Sequence, residues 1–289
     1  MIACEKRLLG SMDRIIFEDE ELRVIWTPRG SECLIITFGD LMHLANGMDY
    51  FAKVPLDKLG YSSLGFMNKH SHWFPAANMH RAMAAVAAIL QKHPHKVIYG
   101  GSMGGYAAIK YSRLLQATQV LAMCPQSGID AQQCPGWDPG WQTYFVPSMQ
   151  GMGITASDIG GQVYLICDFH HRLDKQHADQ IAAVSAQVHL INMPCTQHHV
   201  TTVMAGSRNL EALIQACRRG SLIDLQRISR HARRHSDIYK KNVLKIAHRK
   251  LPRWFVRYLS CKENRYLFKV KPVFGLYYLR HVLRSALPF

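Results

Sequence analysis

The stretch from Lys96 to Leu115 constrains this chain more than any other. Lys96-Val97-Ile98-Tyr99 reads as a buried strand, Tyr106 to Leu115 as a helix, and between them stands the glycine-rich turn Gly100-Gly101-Ser102-Met103-Gly104-Gly105. A serine at the apex of so tight a strand-to-helix turn has a strained backbone. Its neighbours two before and two after must lack side chains if strand and helix are to approach each other. Gly100 and Gly104 meet that need in a G-x-S-x-G pattern, and Gly101 and Gly105 add slack. The turn also brings the N–H groups of a helix N-terminus beside the hydroxyl, where a developing oxyanion would need them. A phosphate-binding loop is the competing chemistry, but the G-K-[ST] ending is missing and Lys110 falls well into the helix.

Around this unit, strand and helix alternate. Strands are predicted at Ile15 to Phe17, Leu22 to Trp26, Cys33 to Phe38, Tyr61 to Met67, Gln119 to Met123, Val163 to Cys167 and Val188 to Met193. Helices are predicted at Pro75 to Gln91, Asp174 to Ala186 and Val200 to Arg219, with a loop from Gly39 to Gly60. Crossovers of helical length imply a mainly parallel sheet with helices on both faces, and catalytic groups belong at the carboxyl ends of its strands.

The turn and its setting resemble the α/β-hydrolase superfamily over about residues 14–217. More narrowly, Gly101-Ser102-Met103-Gly104-Gly105-Tyr106-Ala107-Ala108, Met123-Cys124-Pro125-Gln126 and His70-Ser71-His72-Trp73-Phe74 are similar to segments of a poorly characterised bacterial branch. The resemblance implies an α/β-hydrolase-type fold and a serine nucleophile followed in chain order by an acid and a histidine base. Asp168, directly after the Val163 to Cys167 strand, is the favoured acid. Asp174 is the alternative, because it opens a helix and would serve there as an N-cap. His198 is the expected base and His199 the alternative. The branch has Gly-His at this point, which aligns Gln197 with the glycine. The oxyanion would meet the N–H of Met103 and one from Gly39 or Asp40. The segment 125–153, with Trp137, Trp141, Tyr144 and Phe145, stands where a cap over the site would be inserted.

Such chemistry needs no metal or organic cofactor. His70 and His72 form an H-x-H pair, but no spacing marks a third ligand, and the eight cysteines contain no C-x-x-C. Scattered cysteines and the lack of a signal-like apolar segment point to a reduced, cytoplasmic protein.

The net charge of +15 is unevenly placed. From Arg218 onward there are 19 basic and 3 acidic residues, while residues 1–217 carry 16 and 17. Two parts are therefore expected: a hydrolase domain over residues 1–217 and a basic helical extension over 218–289. Aromatic and basic residues mixed on short amphipathic segments suggest attachment to an anionic membrane surface at its inner face, although a docked extension with a solvated basic side is the plainer reading. Nucleic acid is disfavoured because no recognised module is present.

Two functions follow. One is a serine hydrolase, esterase-like, with acyl transfer as its variant; the branch turns up with surface-polysaccharide genes, which implies an O-acylated glycan as substrate. The other is a non-catalytic hydrolase-fold binding or scaffold protein; the missing glycine at Gln197 argues for it and the intact order of serine, acid and histidine against it.

Overall fold

The computed structural model describes residues 12–132 and 138–286; Cys4, Cys134 and Trp137 lie outside the described residues. Eight strands form one sheet: β1 (Arg14–Glu18), β2 (Leu22–Thr27), β3 (Cys33–Phe38), β4 (Ser62–Asn68), β5 (His95–Gly101), β6 (Gln119–Met123), β7 (Gln162–Cys167) and β8 (Val188–Asn192). Their order is β1-β2-β4-β3-β5-β6-β7-β8. β2 runs antiparallel to both neighbours, and every pairing from β4 to β8 is parallel. This is the α/β-hydrolase arrangement that the glycine turn led us to expect.

The middle of the sheet is buried on both faces, as runs without polar alternation require. Every residue of β3 and β4 is buried. Ile98 of β5 stands between Ile36 of β3 and Val120 of β6, all fully enclosed. Each such side chain contributes about 1.5–3 kcal/mol relative to exposure.

The expected loop between Gly39 and Gly60 contains a helix, α1 (Lys53–Leu59). Pro55 sits in its first turn, where an absent N–H costs no intrahelical bond, and Gly60 closes it at φ 72°. Helix α2 (Ala76–Lys92) packs on β1 and β2, and α3 (Met103–Lys110) on β3, β5 and β6. A four-residue α4 (Pro139–Gln142) lies in the long segment after β6, and α5 (Arg172–Val184) packs on β7 and β8. The continuous helix expected from Val200 to Arg219 is instead two, α6 (Val200–Val203) and α7 (Ser207–Arg218), broken at Gly206, whose φ of 106° no helix accommodates.

The remaining helices are α8 (Leu222–His235), α9 (Asp237–Lys250), α10 (Pro252–Ser260), α11 (Tyr266–Val270) and α12 (Val273–Ala286). Ser236 caps α9 by accepting the N–H of Ile238, and Pro252 opens α10 at a position where its missing N–H is harmless. The chain divides into two compact units, Met1–Ser229 and Arg230–Phe289; the division falls inside α8, whereas the change in charge falls after Cys217. The second unit has its own small core of Leu244, Ala247, Phe255, Leu259, Leu267 and Phe274. Among the described residues no helix is long and apolar enough to cross a membrane.

Candidate active site

Ser102 stands between β5 and α3 at φ 51° and ψ −120°, a conformation that costs an L-residue on the order of 1–3 kcal/mol. The glycines around it are required by close approach. A methyl at Gly100 would collide with the carbonyl of Gly104, and one at Gly104 would lie 2.5 Å from the carbonyl oxygen of Phe38. Gly101 is closed in by Thr201, and Gly105 by the carbonyl of Met123 at 3.1 Å, so these two positions hold packing contacts where slack was expected. The loop after β3 is thereby pressed against the serine turn.

His198 Nδ1 lies 2.7 Å from Asp174 Oδ1, and its Nε2 lies 3.0 Å from Ser102 Oγ. A carboxylate can only accept, so the ring proton sits on Nδ1. Nε2 is then the acceptor for the serine hydroxyl. Asp174 is only 3% exposed, which keeps water from competing for this contact.

The structure brings the alternative acid, Asp174, to His198, and not the favoured Asp168. Asp168 accepts the backbone N–H of Gln197 (2.9 Å) through one oxygen and that of His170 (2.9 Å) through the other. Its contacts are local: Gln197 has φ 52°, a left-handed conformation, and the Asp168 contact holds it there immediately before His198. The glycine of the resembling branch suits such a backbone, and Gln197 adopts it at a cost. The N-cap of α5 is His171, whose Nδ1 lies 3.4 Å from the Asp174 N and 3.1 Å from Asp174 Oδ2, while Asp174 Oδ1 is the oxygen that meets His198. His199 is exposed, its N–H bound to Thr196, and it is not brought to the serine.

The expected oxyanion donors also need correction. Gly39 donates its N–H to Phe66 at 2.9 Å as part of the sheet, so it has none to offer. Asp40 follows it and lines the cavity over Ser102. Its carboxylate accepts the N–H groups of Met42 (2.9 Å) and His43 (3.1 Å), fixing the loop that presents it. Met103, the first residue of α3, has an N–H that no intrahelical carbonyl reaches.

One further contact to the serine joins two of the segments noted for their resemblance. Gln126 is fully buried, and its Nε2 donates to Ser102 Oγ at 3.3 Å. Its Oε1 accepts the indole N–H of Trp73 at 3.3 Å. Indole is a donor only, so Trp73 selects the amide orientation that turns the NH₂ toward the serine. The similar segments Trp73-Phe74 and Pro125-Gln126 were the signal that could have identified this pair.

Cys124, also buried, lies with Asp174 and His198 in a cluster whose ligand-type atoms are within 4.8 Å of one another, the one such set of three among the described residues; His70 and His72 acquire no third ligand there. Burial, and then the charge of Asp174, push the Cys124 thiol well above its ordinary range, so it stays protonated.

A cavity of about 500 Å³ opens over the serine, lined by Asp40, Phe51, Ser102, Trp141, His198 and Thr201 among others. A second, of about 370 Å³, is lined by Asp138, Trp141, Tyr144, His171, Asp174 and His198. The segment expected as a cap therefore reaches the site, with the Trp141 ring 5.6 Å from that of His198. It is anchored by a second buried constellation that sequence reasoning missed. Ser127 donates its N–H to His177 Nδ1 (3.0 Å), so the ring's Nε2–H donates to Asp138 (2.9 Å); His177 and Asp138 are 1% and 3% exposed. His177 sits on α5, three residues after Asp174.

No protein-family model matches the sequence, and no curated protein matches it. Among solved structures, it is similar to the capsule O-acetyltransferase of Neisseria meningitidis serogroup A (14% identity, 69% of this chain, 93% of that one, TM-score 0.49). It is also similar to Est1E from Butyrivibrio proteoclasticus (14% identity, 74% and 99% covered, TM-score 0.48) and to the Pyrococcus furiosus esterase Pf2001 (16% identity, 72% and 91% covered, TM-score 0.42). The fold rests on the chain's own geometry: with its strand order and its serine turn after β5, the Met1–Ser229 unit has the α/β-hydrolase fold.

Proposed function

We propose that this protein is a serine esterase-like enzyme that works through an acyl-enzyme on Ser102. The observation that carries the reading is the continuous path from Asp174 through His198 to the Ser102 hydroxyl, 2.7 and 3.0 Å long. His198 Nε2 takes the hydroxyl proton as Oγ attacks an ester carbonyl, and Asp174 stabilises the imidazolium that forms. The N–H groups of Met103 and Asp40 stabilise the tetrahedral oxyanion, and Gln126 steadies Oγ in the attacking position. His198 then returns its proton to the departing alkoxide. Water, deprotonated by the same imidazole, attacks the acyl carbon and frees the serine.

Acyl transfer to a hydroxyl is the second reading, and the second cavity favours it. Both cavities border His198 and Trp141, so an acceptor could stand on one side of Trp141 while the acyl group occupies the other. Trp141 and Tyr144 offer aromatic faces suited to a sugar ring, in keeping with an O-acylated glycan as substrate or product.

The test is a fluorophosphonate probe applied to wild type and Ser102→Ala. Labelling of wild type that the substitution abolishes is expected. A folded wild type that takes up no probe would overturn the reading in favour of a non-catalytic scaffold.

A further inference from the structure

We propose that the Arg230–Phe289 unit binds an anionic lipid surface through the outer face of α12. Residues 230–289 hold 16 Lys and Arg against 2 Asp and Glu. The unit fills its own core, yet leaves Leu276, Leu279 and Leu283 at 68%, 56% and 63% exposure. These three recur at i, i+3 and i+7 on α12 and so form one apolar stripe. Exposed Arg280 borders that stripe. Elsewhere in the unit, Leu251, at 58% exposure, and Trp254, at 42%, also meet solvent.

A soluble surface does not ordinarily leave a helical row of leucines uncovered, and the unit's excess of positive charge decides what covers it. A second copy would bring a like excess of positive charge to the contact. A nucleic acid would use the arginines and lysines and leave the leucines in water. An anionic bilayer satisfies both: its phosphates pair with the basic side chains while the leucines enter the boundary between headgroup and acyl chain. Since no helix of the described residues spans a membrane, the helix lies in the interface plane. Each basic residue near such a surface contributes roughly fivefold in affinity at moderate salt, so binding should fall steeply as salt rises.

The full-length protein is sedimented with vesicles of phosphatidylcholine alone or mixed equally with phosphatidylglycerol. Binding only to the anionic vesicles at low salt, at least about tenfold weaker in about 0.5 M salt, is expected. The variant L276Q/L279Q/L283Q should lose at least about tenfold on the same vesicles while keeping the wild-type circular dichroism spectrum and melting temperature. Equal binding of wild type and variant, or no wild-type binding at low salt, overturns the proposal. So does a variant that only turns a dimer into a monomer, which would assign the stripe to a second copy. Tight binding of duplex DNA that the variant leaves unchanged, with no vesicle binding, would assign the charge to nucleic acid and equally overturn it.

Discussion

Asp174→Asn and Asp168→Asn should fail in different ways, because the two carboxylates do different work. Asp174 Oδ1 meets the Nδ1–H of His198 at 2.7 Å. An amide in its place can present its NH₂ to Nδ1, which fixes the wrong tautomer and removes the charge that supports the imidazolium. In triads of this design such a change costs about 10⁴-fold in kcat. Asp168 instead accepts two backbone N–H groups, one per oxygen, while 2% exposed. Asparagine has a single acceptor oxygen, so one of those donors is left facing an NH₂. Losing one charge-assisted bond in a buried site costs about 1.5–3 kcal/mol, and at about 2–4 °C per kcal/mol for a unit of this size the melting temperature should drop by about 3–12 °C. Hydrolysis of p-nitrophenyl acetate and the rate of fluorophosphonate labelling report the first effect; thermal unfolding followed by circular dichroism reports the second. We expect the folded Asp168→Asn protein to keep activity within about tenfold of wild type. If Asp168→Asn loses as much activity as Asp174→Asn below its melting transition, the assignment of the acid is refuted. Asp174→Asn within tenfold of wild type would refute it equally.

Replacing Gln126 by Leu removes the amide that donates to Ser102 and leaves the Trp73 indole without its acceptor; probe labelling should slow by about 10–100-fold, and stability should fall by about 1–3 kcal/mol. An unchanged labelling rate would remove Gln126 from the serine's support. Gln197→Gly relieves a left-handed backbone that costs about 1–2 kcal/mol while adding some unfolded-state entropy, so the melting temperature should hold or rise by a few degrees. A clear fall would mean that the Gln197 side chain does something its backbone does not. Trp141→Ala should leave acyl-enzyme formation nearly intact but lower the ratio of acyl transfer to hydrolysis when a sugar or glycerol is supplied; an unchanged ratio counts against acceptor binding beside Trp141.

Much of this arrangement could be read from residue order. Apolar runs bounded by turns or by helical lengths locate all eight strands to within a residue or two, and the glycine pattern singles out Ser102 before any coordinates are considered. What could not be read depends on side-chain direction across the fold. Asp168 and Asp174 are six residues apart, and both lie after the same strand; only the turn at His170 and His171 determines which carboxylate points at His198. Gly39 looks like an oxyanion donor until its N–H is found in the sheet beside Phe66. The helix α1 hides behind Pro55, a residue that breaks helices everywhere except at their start. Gln126 and Trp73 are 53 positions apart in the chain and carry no periodic signal, so their meeting at the serine is a property of the tertiary fold.

Helix α5 has a mechanical consequence. Three residues apart on it stand Asp174, which meets His198 Nδ1, and His177, which grips Asp138 of the segment bearing Trp141. The supports of His198 and of the aromatic wall beside it thus share one rigid strut. A force on Trp141 would therefore reach Asp174 through Asp138 and His177, along two buried contacts and a single turn of helix.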